Sequence, residues 1–281
     1  MIRCHARRAE LFSLPMVDIH CHILTGLDDG APSLEVSLQM AEMAIAEGIT
    51  HIVATPHANS QFPFVSGTIR ERREELQLRL ADRLTLATGC DFHLSYENLR
   101  DIREHRTKYT LNQKNYLLVE FADFAIPPAI EQELHQLQLA GIRPIITHPE
   151  RNPLIRSQPE RLLQWMRQGC YVQVTALSFL GRFGGAAKQF VEMLLAREGI
   201  HFVASDAHNT TSRPLKLREA FDRVTALKGA AAADSLFRDN PKAAFDGQPL
   251  PYTPDVPSKL EPPSRASHDS SGKRRKRFGI F

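Results

Sequence analysis

Two histidines separated by one residue, His20-Cys21-His22, stand at the end of a strand-like segment at 17–20. Side chains two apart in a strand point to the same side, so both imidazoles face one point and Cys21 faces away. Donors of the same kind recur further along. ITHIVATP delivers His57, YLLVEF ends near Glu120, IRPIIT leads into His148, and HFVAS leads into Asp206 and His208. Imidazole mixed with carboxylate suits borderline and hard divalent ions such as zinc, manganese or iron. So many donors predict a site for two or three ions, which together can clamp a phosphate and share a deprotonated water. Asp28-Asp29-Gly30 can supply a further carboxylate or serve as a plain turn. Arg151 and Arg213 each stand shortly beyond a donor, and a guanidinium fork fits phosphate oxygens and stabilises charge developing on them. The chemistry expected of such a set is metal-assisted hydrolysis of a phosphoester. Other routes lack their residues: no cysteine is followed by arginine six positions on, and there is no Gly-x4-Gly-Lys-Ser/Thr loop.

These donors need a scaffold that brings distant segments to one place. Ser33 is a good helix cap for a stretch with Leu34, Leu38, Ala41 and Ile45 on one face, and Gly48 stops it. A strand at 49–54, a charged helix at 69–82 and a buried-type strand at 116–121 follow. A helix at 128–140, a strand at 142–147 and a helix ending before Gly169 come next. A strand at 171–174, a helix ending before Gly199 and a strand at 200–204 complete the series. Repeated strand–helix alternation predicts parallel strands, and this many units favours an α/β barrel with its site at the C-terminal strand ends. His51 and His201 begin strands and so belong at the opposite end. His105, His135 and His268 are expected in helix, loop or tail, and none is assigned chemistry.

The chain has 281 residues and a net charge of +3, but the charge is unevenly placed. Residues 248–281 carry +4 and residues 1–15 carry +2, leaving −3 on the body, so there is no nucleic-acid footprint. The three regions read as an N-terminal extension at 1–15, a catalytic domain at 16–247 and a Pro-rich, basic tail at 248–281. Met16 opens a strand abruptly, and we read it as the true start. The tail holds six prolines and the run Lys-Arg-Arg-Lys-Arg at 273–277. Its composition cannot build a core and predicts disorder, with contact to an anionic surface as its functional option. The four cysteines form no paired motif and read as reduced cytoplasmic thiols. No run is long enough for a transmembrane helix.

The sequence resembles the PHP (polymerase and histidinol phosphatase) superfamily and, within it, the bacterial capsule and exopolysaccharide tyrosine-protein phosphatases. The resemblance is carried by VDIHCHILTGLDDGAPSLEVSLQMAEMAIAEGITHIVATPH at 17–57, LLVEF at 117–121, GIRPIITHPER at 141–151 and FVASDAHN at 202–209. It covers about residues 16–247 and implies a distorted (β/α)7 PHP barrel holding three metal ions, often manganese. One ion would take His20, His22 and Asp206, a second Glu120 and His148, and a third Asp29, His57 and His208. Arg151 and Arg213 would be the phosphate-binding arginines. Where relatives carry a bridging glutamate, this chain reads Gly89-Cys90-Asp91, so Asp91 would have to bridge with one methylene less. The activity implied is hydrolysis of protein phosphotyrosine by metal-activated water, in the cytoplasm, in regulation of capsular or exopolysaccharide synthesis. The phosphotyrosine partner would be a polysaccharide-assembly tyrosine kinase. Phe62 and Phe64 offer packing for an aromatic ring, or simple loop anchoring. The rival readings are a phosphatase of a small metabolite such as histidinol phosphate, an amidohydrolase-type hydrolase, and a regulatory partner with little turnover.

Overall fold

Strands that are apolar at nearly every position need cover on both faces, and parallel sheets flanked by helices provide it. The computed structural model describes residues 15–255. The readings of an upstream extension and of the basic run at 273–277 lie outside the described residues. The strands are β1 (Met16–Cys21), β2 (Ile49–Ala54), β3 (His57–Ala58), β4 (Thr85–Thr88), β5 (Asp91–His93), β6 (Tyr116–Glu120), β7 (Arg143–Thr147), β8 (Tyr171–Thr175) and β9 (Phe202–Ala204). Every pairing among them is parallel. They form a three-stranded sheet in the order β1-β2-β4 and a six-stranded sheet in the order β3-β5-β6-β7-β8-β9. A parallel bridge between Cys21 and Ala207 links the end of β1 to the segment after β9.

Between the strands run α1 (Leu34–Glu47), α2 (Ser66–Leu80), α3 (Tyr96–Glu104), α4 (Ile130–Leu139), α5 (Pro153–Ser157), α6 (Pro159–Arg167), α7 (Ala176–Phe179) and α8 (Gly184–Ala196). The sequence cues for α1 hold in detail. The Ser33 hydroxyl accepts the Val36 N–H at 3.3 Å, and Gly48 ends the helix at a φ of 83°, a conformation open to glycine. Other boundaries moved. The charged helix begins at Ser66, and the segment before Gly169 divides into α5 and α6 because Pro159 cannot continue a helix through its missing N–H. Strands β3, β4 and β5 were not read from the sequence, nor were the closing helices α9 (Arg218–Lys228), α10 (Ala230–Asp234) and α11 (Asn240–Asp246).

Residues 248–255, expected to belong to an unpacked tail, are held on the domain. Tyr116 donates its hydroxyl to the Gln248 carbonyl at 2.8 Å. Asn240 donates to the Tyr252 carbonyl at 2.7 Å and accepts the Tyr252 N–H at 3.1 Å. Leu250 and Tyr252 pack against the core. The proline-rich composition hid this, because a strap held by side-chain hydrogen bonds needs no core of its own.

Candidate metal centre

The strand residues sort into two buried groups. Val17, Ile19, Val53, Tyr116, Leu118, Ile145, Phe202 and Ala204 pack together with Ala244 and Phe245 of α11. Met16, Cys21, Ile23, Leu117, Val119, Ile146 and Val203 pack with the helices. Along β1 and the two residues after it the odd-numbered side chains change group, from Val17 and Ile19 to Cys21 and Ile23. A break in register between Asp18 and Cys21 accounts for it, as a bulge slips the alternation by one residue. The slip turns His20 and His22 to the side that Val17 and Ile19 face. Glu120 continues the phase of Tyr116 and Leu118, and Asp206 that of Phe202 and Ala204, so the donors stand at the C-terminal ends of strands whose inward apolar residues form a floor.

There the donors converge. His20 Nε2 lies 3.4 Å from Asp91 Oδ2 and 3.4 Å from Asp206 Oδ1. His22 Nε2 lies 3.5 Å from Asp206 Oδ1. His57 reaches Asp29 at 3.4 Å through Nε2, and Asp91 and Glu120 at 3.3 and 3.4 Å through Nδ1. His208 Nε2 is 3.4 Å from Asp29, and His148 Nε2 is 3.8 Å from Glu120. Ligand bonds of about 2.0–2.2 Å put neighbouring donors roughly 3.0–3.5 Å apart, which is close to this spacing. The groups that could hold one ion are His22, Asp29, His57 and His208; His20, His22 and Asp91; His20, His148 and Asp206; and His57, Asp91 and Glu120. All nine residues singled out in the sequence therefore meet. The implied set of Asp29, His57 and His208 recurs, joined by His22, whereas His20, His22 and Asp206, and Glu120 with His148, fall into different groups, and Asp91 is shared by two.

The donor set fits cations on an independent ground. Both carboxylate oxygens of Asp91, Nδ1 of His57 and Nε2 of His208 are buried without a hydrogen-bond partner, an arrangement that costs free energy unless a cation completes it. Three imidazoles are held so that Nε2 faces the cluster. His22 Nδ1 meets Asp28 Oδ2 at 2.7 Å, His20 Nδ1 meets Gln173 Oε1 at 3.0 Å, and His208 Nδ1 meets the Asp206 carbonyl at 3.0 Å. Each partner accepts, so each Nδ1 carries the proton and leaves an Nε2 lone pair free. The Nε2 atoms of His20 and His22 stand 3.3 Å apart, a spacing that either a proton shared between them or one cation beside them satisfies.

The surrounding polar residues brace this arrangement. Asp28 also accepts the backbone N–H of His57 at 3.0 Å and of Gly30 at 2.9 Å. A Cβ on Gly30 would fall 2.2 Å from the His22 carbonyl, so only glycine fits this approach. Asp18 accepts the N–H of Ser205 at 3.0 Å and its hydroxyl at 2.5 Å, tying β1 to the segment that carries Asp206. Glu150 accepts the Thr175 N–H at 2.8 Å and the Ser178 hydroxyl at 2.7 Å, pinning the loop that bears Arg151. Asp18, Gln173 and Glu150 were not read as site residues, because their role lies in contacts that no local spacing announces.

Electrostatics follow from burial and charge together. Burial opposes charge on His20, yet Asp91 and Asp206 raise it to about 9. Burial and neighbouring His208 bring His22 down to about 4, and burial with Arg151 holds His148 well below its usual value. Burial disfavours the Asp206 anion, but Arg151, His20 and Arg213 hold its carboxyl far below the usual range. Arg151 and Arg213 both donate to Oδ2 of Asp206, Arg213 at 2.6 Å. Two donor residues sit in strained backbone, His148 at a φ of 31° and Asp206 at 50°. Such conformations in side-chain-bearing residues cluster at functional sites.

Beside the cluster opens a cavity of about 360 Å³ whose lining includes Glu120, His148, Arg151, Phe121, Phe124 and Phe183. Neither phenylalanine proposed from the sequence lines it. Phe62 stacks on His57 with centroids 6.0 Å apart, and Phe64 packs on Tyr109 at 4.8 Å. The aromatic residues of the lining are Phe121, Phe124 and Phe183, and the Phe183 ring lies 4.5 Å from the Arg151 guanidinium carbon. His51 and His201 lie away from the cluster as expected; His201 accepts the Val172 N–H at 3.1 Å. Among the described residues no helix is long and apolar enough to cross a membrane.

The chain has relatives among known proteins. The family model described as "Capsular polysaccharide synthesis, CpsB/CapC" matches residues 16–246. The tyrosine-protein phosphatase YwqE of Bacillus subtilis is 34% identical over 270 residues, covering 95% of this chain and 100% of that protein. The tyrosine-protein phosphatase CpsB of Streptococcus pneumoniae is 31% identical over 236 residues, 81% of this chain and 97% of that protein. A crystal structure from work on these two proteins, described as unique metal-dependent tyrosine phosphatases, superposes with a TM-score of 0.81 at 35% identity. It covers 87% of this chain and 100% of that one.

Proposed function

The chain belongs to the CpsB/CapC family of capsular polysaccharide synthesis proteins, and on that premise we propose that it is a metal-dependent protein-tyrosine phosphatase. The observation that carries the reading is the convergence of nine donor side chains with two arginines anchored on one carboxylate oxygen. We assign His20, His22, Asp29, His57, Asp91, Glu120, His148, Asp206 and His208 as ligands of two to three divalent ions, manganese by preference. When bound, such ions supply Lewis acidity and lower the pKa of coordinated water to about 7.

The chain's own contribution is positioning and charge. Arg151 and Arg213 would turn their free N–H groups to the phosphoryl oxygens while Asp206 fixes both guanidinium planes, so the charge that develops meets donors already in place. Glu150 keeps the Arg151 loop from drifting. A tyrosine leaves as a phenolate with a pKa of about 10, which makes protonation of the leaving oxygen less demanding than for an alkyl ester.

We read the two sheets, joined at Cys21 and Ala207, as one distorted seven-stranded barrel in which β2 with β3 and β4 with β5 each count once. The physiological substrate on this reading is a phosphotyrosine protein of capsule or exopolysaccharide assembly, a tyrosine kinase of that process being the natural partner. The buried free thiols Cys21, Cys90 and Cys170 suit a reducing cytoplasm.

The test is kcat/KM on one manganese-loaded preparation for a phosphotyrosine peptide, an aryl phosphate, a phosphoserine peptide and histidinol phosphate. The first two should be hydrolysed much faster, and a chelator should abolish turnover. A clear preference for histidinol phosphate would overturn the tyrosine assignment, and full turnover with metal at background would overturn the metal requirement.

A further inference from the structure

We infer that the cavity beside Arg151 seats the ring of the leaving group, and that Phe183 and Phe124 are the residues that select an aromatic ester; the inference rests on the phosphatase reading above. The cavity joins charged residues of the centre, Glu120, His148 and Arg151, to aromatic ones, Phe121, Phe124 and Phe183. A phosphoryl group held by Arg151 has its ester oxygen within this same space, so the group attached to that oxygen enters the aromatic part.

The three phenylalanines are not equivalent. Phe121 is buried and already stacked on Trp165, with centroids 4.9 Å apart and planes 16° from parallel, so it is a fixed wall. Phe183 is half-buried with its ring against the Arg151 guanidinium. It therefore both orients the arginine and presents an aromatic surface next to the phosphate position. Phe124 is 88% exposed and lines the cavity, so its ring is open to contact with whatever enters it. A phenyl ring in the cavity would cover Phe124 and meet Phe183 edge-on or offset, the geometries aromatic pairs prefer. An alkyl chain would gain neither contact in full. Phe62 and Phe64 are occupied by His57 and Tyr109 and lie outside the cavity lining.

Non-hydrolysable phosphonates separate ring recognition from leaving-group chemistry. Manganese-loaded protein is titrated calorimetrically with phenylphosphonate and with methylphosphonate. The wild type should bind the phenyl compound more tightly. Phe124→Ala, a change at an exposed side chain that the fold tolerates, should shrink the phenyl-to-methyl affinity ratio by roughly three- to tenfold. It should leave methylphosphonate affinity unchanged. Phe183→Leu should shrink the ratio similarly and also weaken both ligands, because the arginine loses its support; Phe183→Tyr should restore both. An unchanged ratio in Phe124→Ala and Phe183→Leu overturns the assignment while leaving the phosphatase reading intact. Failure of the wild type to bind either phosphonate or to hydrolyse an aryl phosphate would instead bring down the phosphate site, and the ring seat with it.

Discussion

The Nδ1 of His22 stands 2.7 Å from a carboxylate oxygen of Asp28, and this contact decides which nitrogen His22 offers to the centre. Asp28→Asn keeps the size but can present an N–H to the ring in place of an acceptor, favouring the wrong tautomer. Metal affinity should fall about 10- to 100-fold, as is usual when the orienting partner of a ligand histidine is lost. Competition against a calibrated chelator measures it; unchanged affinity would reduce Asp28 to a turn residue.

Asp91 pairs in register with His57 on one side and Leu118 on the other, and both its oxygens are buried without hydrogen-bond partners. Asp91→Ala should lose at least one ion per chain, whereas Asp91→Glu should retain or improve occupancy. Metal analysis of the three proteins after gel filtration checks this. Full metal content in Asp91→Ala would remove the residue from the site.

Because Arg151 and Arg213 share one oxygen of Asp206, each has a fixed anchor and free N–H groups. Arg151→Ala and Arg213→Ala should each lower kcat by about 10²–10³-fold, the scale for removing one donor to developing charge. Metal content should stay at the wild-type level. The double variant should lose less than the product of the two, since the groups act on the same phosphoryl oxygens.

His201 supplies a pH test away from the donor cluster. Burial drives its imidazole down to about 3, and Nδ1 must stay unprotonated to accept the Val172 N–H. Below its ordinary value of about 6.5 the unfolded chain binds a proton that the folded chain refuses. Its contribution to stability is thus complete above about pH 6.5 and is lost as the pH falls toward 3, at up to roughly 1.4 kcal/mol per unit. His201→Gln keeps an acceptor and does not titrate, so urea unfolding between pH 6 and 4 should show a shallower loss than in the wild type. Equal slopes would show that the imidazole titrates freely in the fold.

A chain ending at Gly247 should melt lower than one ending at Asp255. The shorter chain loses the paired hydrogen bonds between Asn240 and Tyr252 and the cover from Leu250 and Tyr252. At about 1 kcal/mol for each hydrogen bond plus the lost apolar burial, the drop should be roughly 5–10 °C. Calorimetry of the two proteins decides it, and identical melting would make the strap superfluous.

Much of the centre could be read from the chain because its donors follow apolar runs. His57, Glu120, His148 and Asp206 each stand at or just after a strand whose buried residues advertise it. Asp91 needed the resemblance, since its strand is three residues long and too short for alternation to register. Strand β4 was hidden by its Thr-rich, half-polar pattern. Gln173 sits mid-strand among valines and looks like an outward polar residue until the His20 ring is placed against it. Phe183 lies among glycines and an arginine, where nothing local distinguishes a wall from a turn. The aromatic loop at 62–64 drew attention because two rings stand close in sequence, but its partners are His57 and Tyr109.

The left-handed backbone at His148 and Asp206 also bears on how this protein can be improved. Conformations of this kind cost on the order of 1–3 kcal/mol each for a residue with a side chain, and glycine would relieve that cost. At 206 glycine would strip Arg151 and Arg213 of the carboxylate on which both rest, a loss larger than the strain it relieves, so a search that rewards thermal stability alone is drawn to glycine at 148, where it discards an imidazole of the centre. The gain at 148 is therefore closed to a working enzyme, and stabilisation has to be sought away from the strand ends, on the helices and along the 248–255 strap.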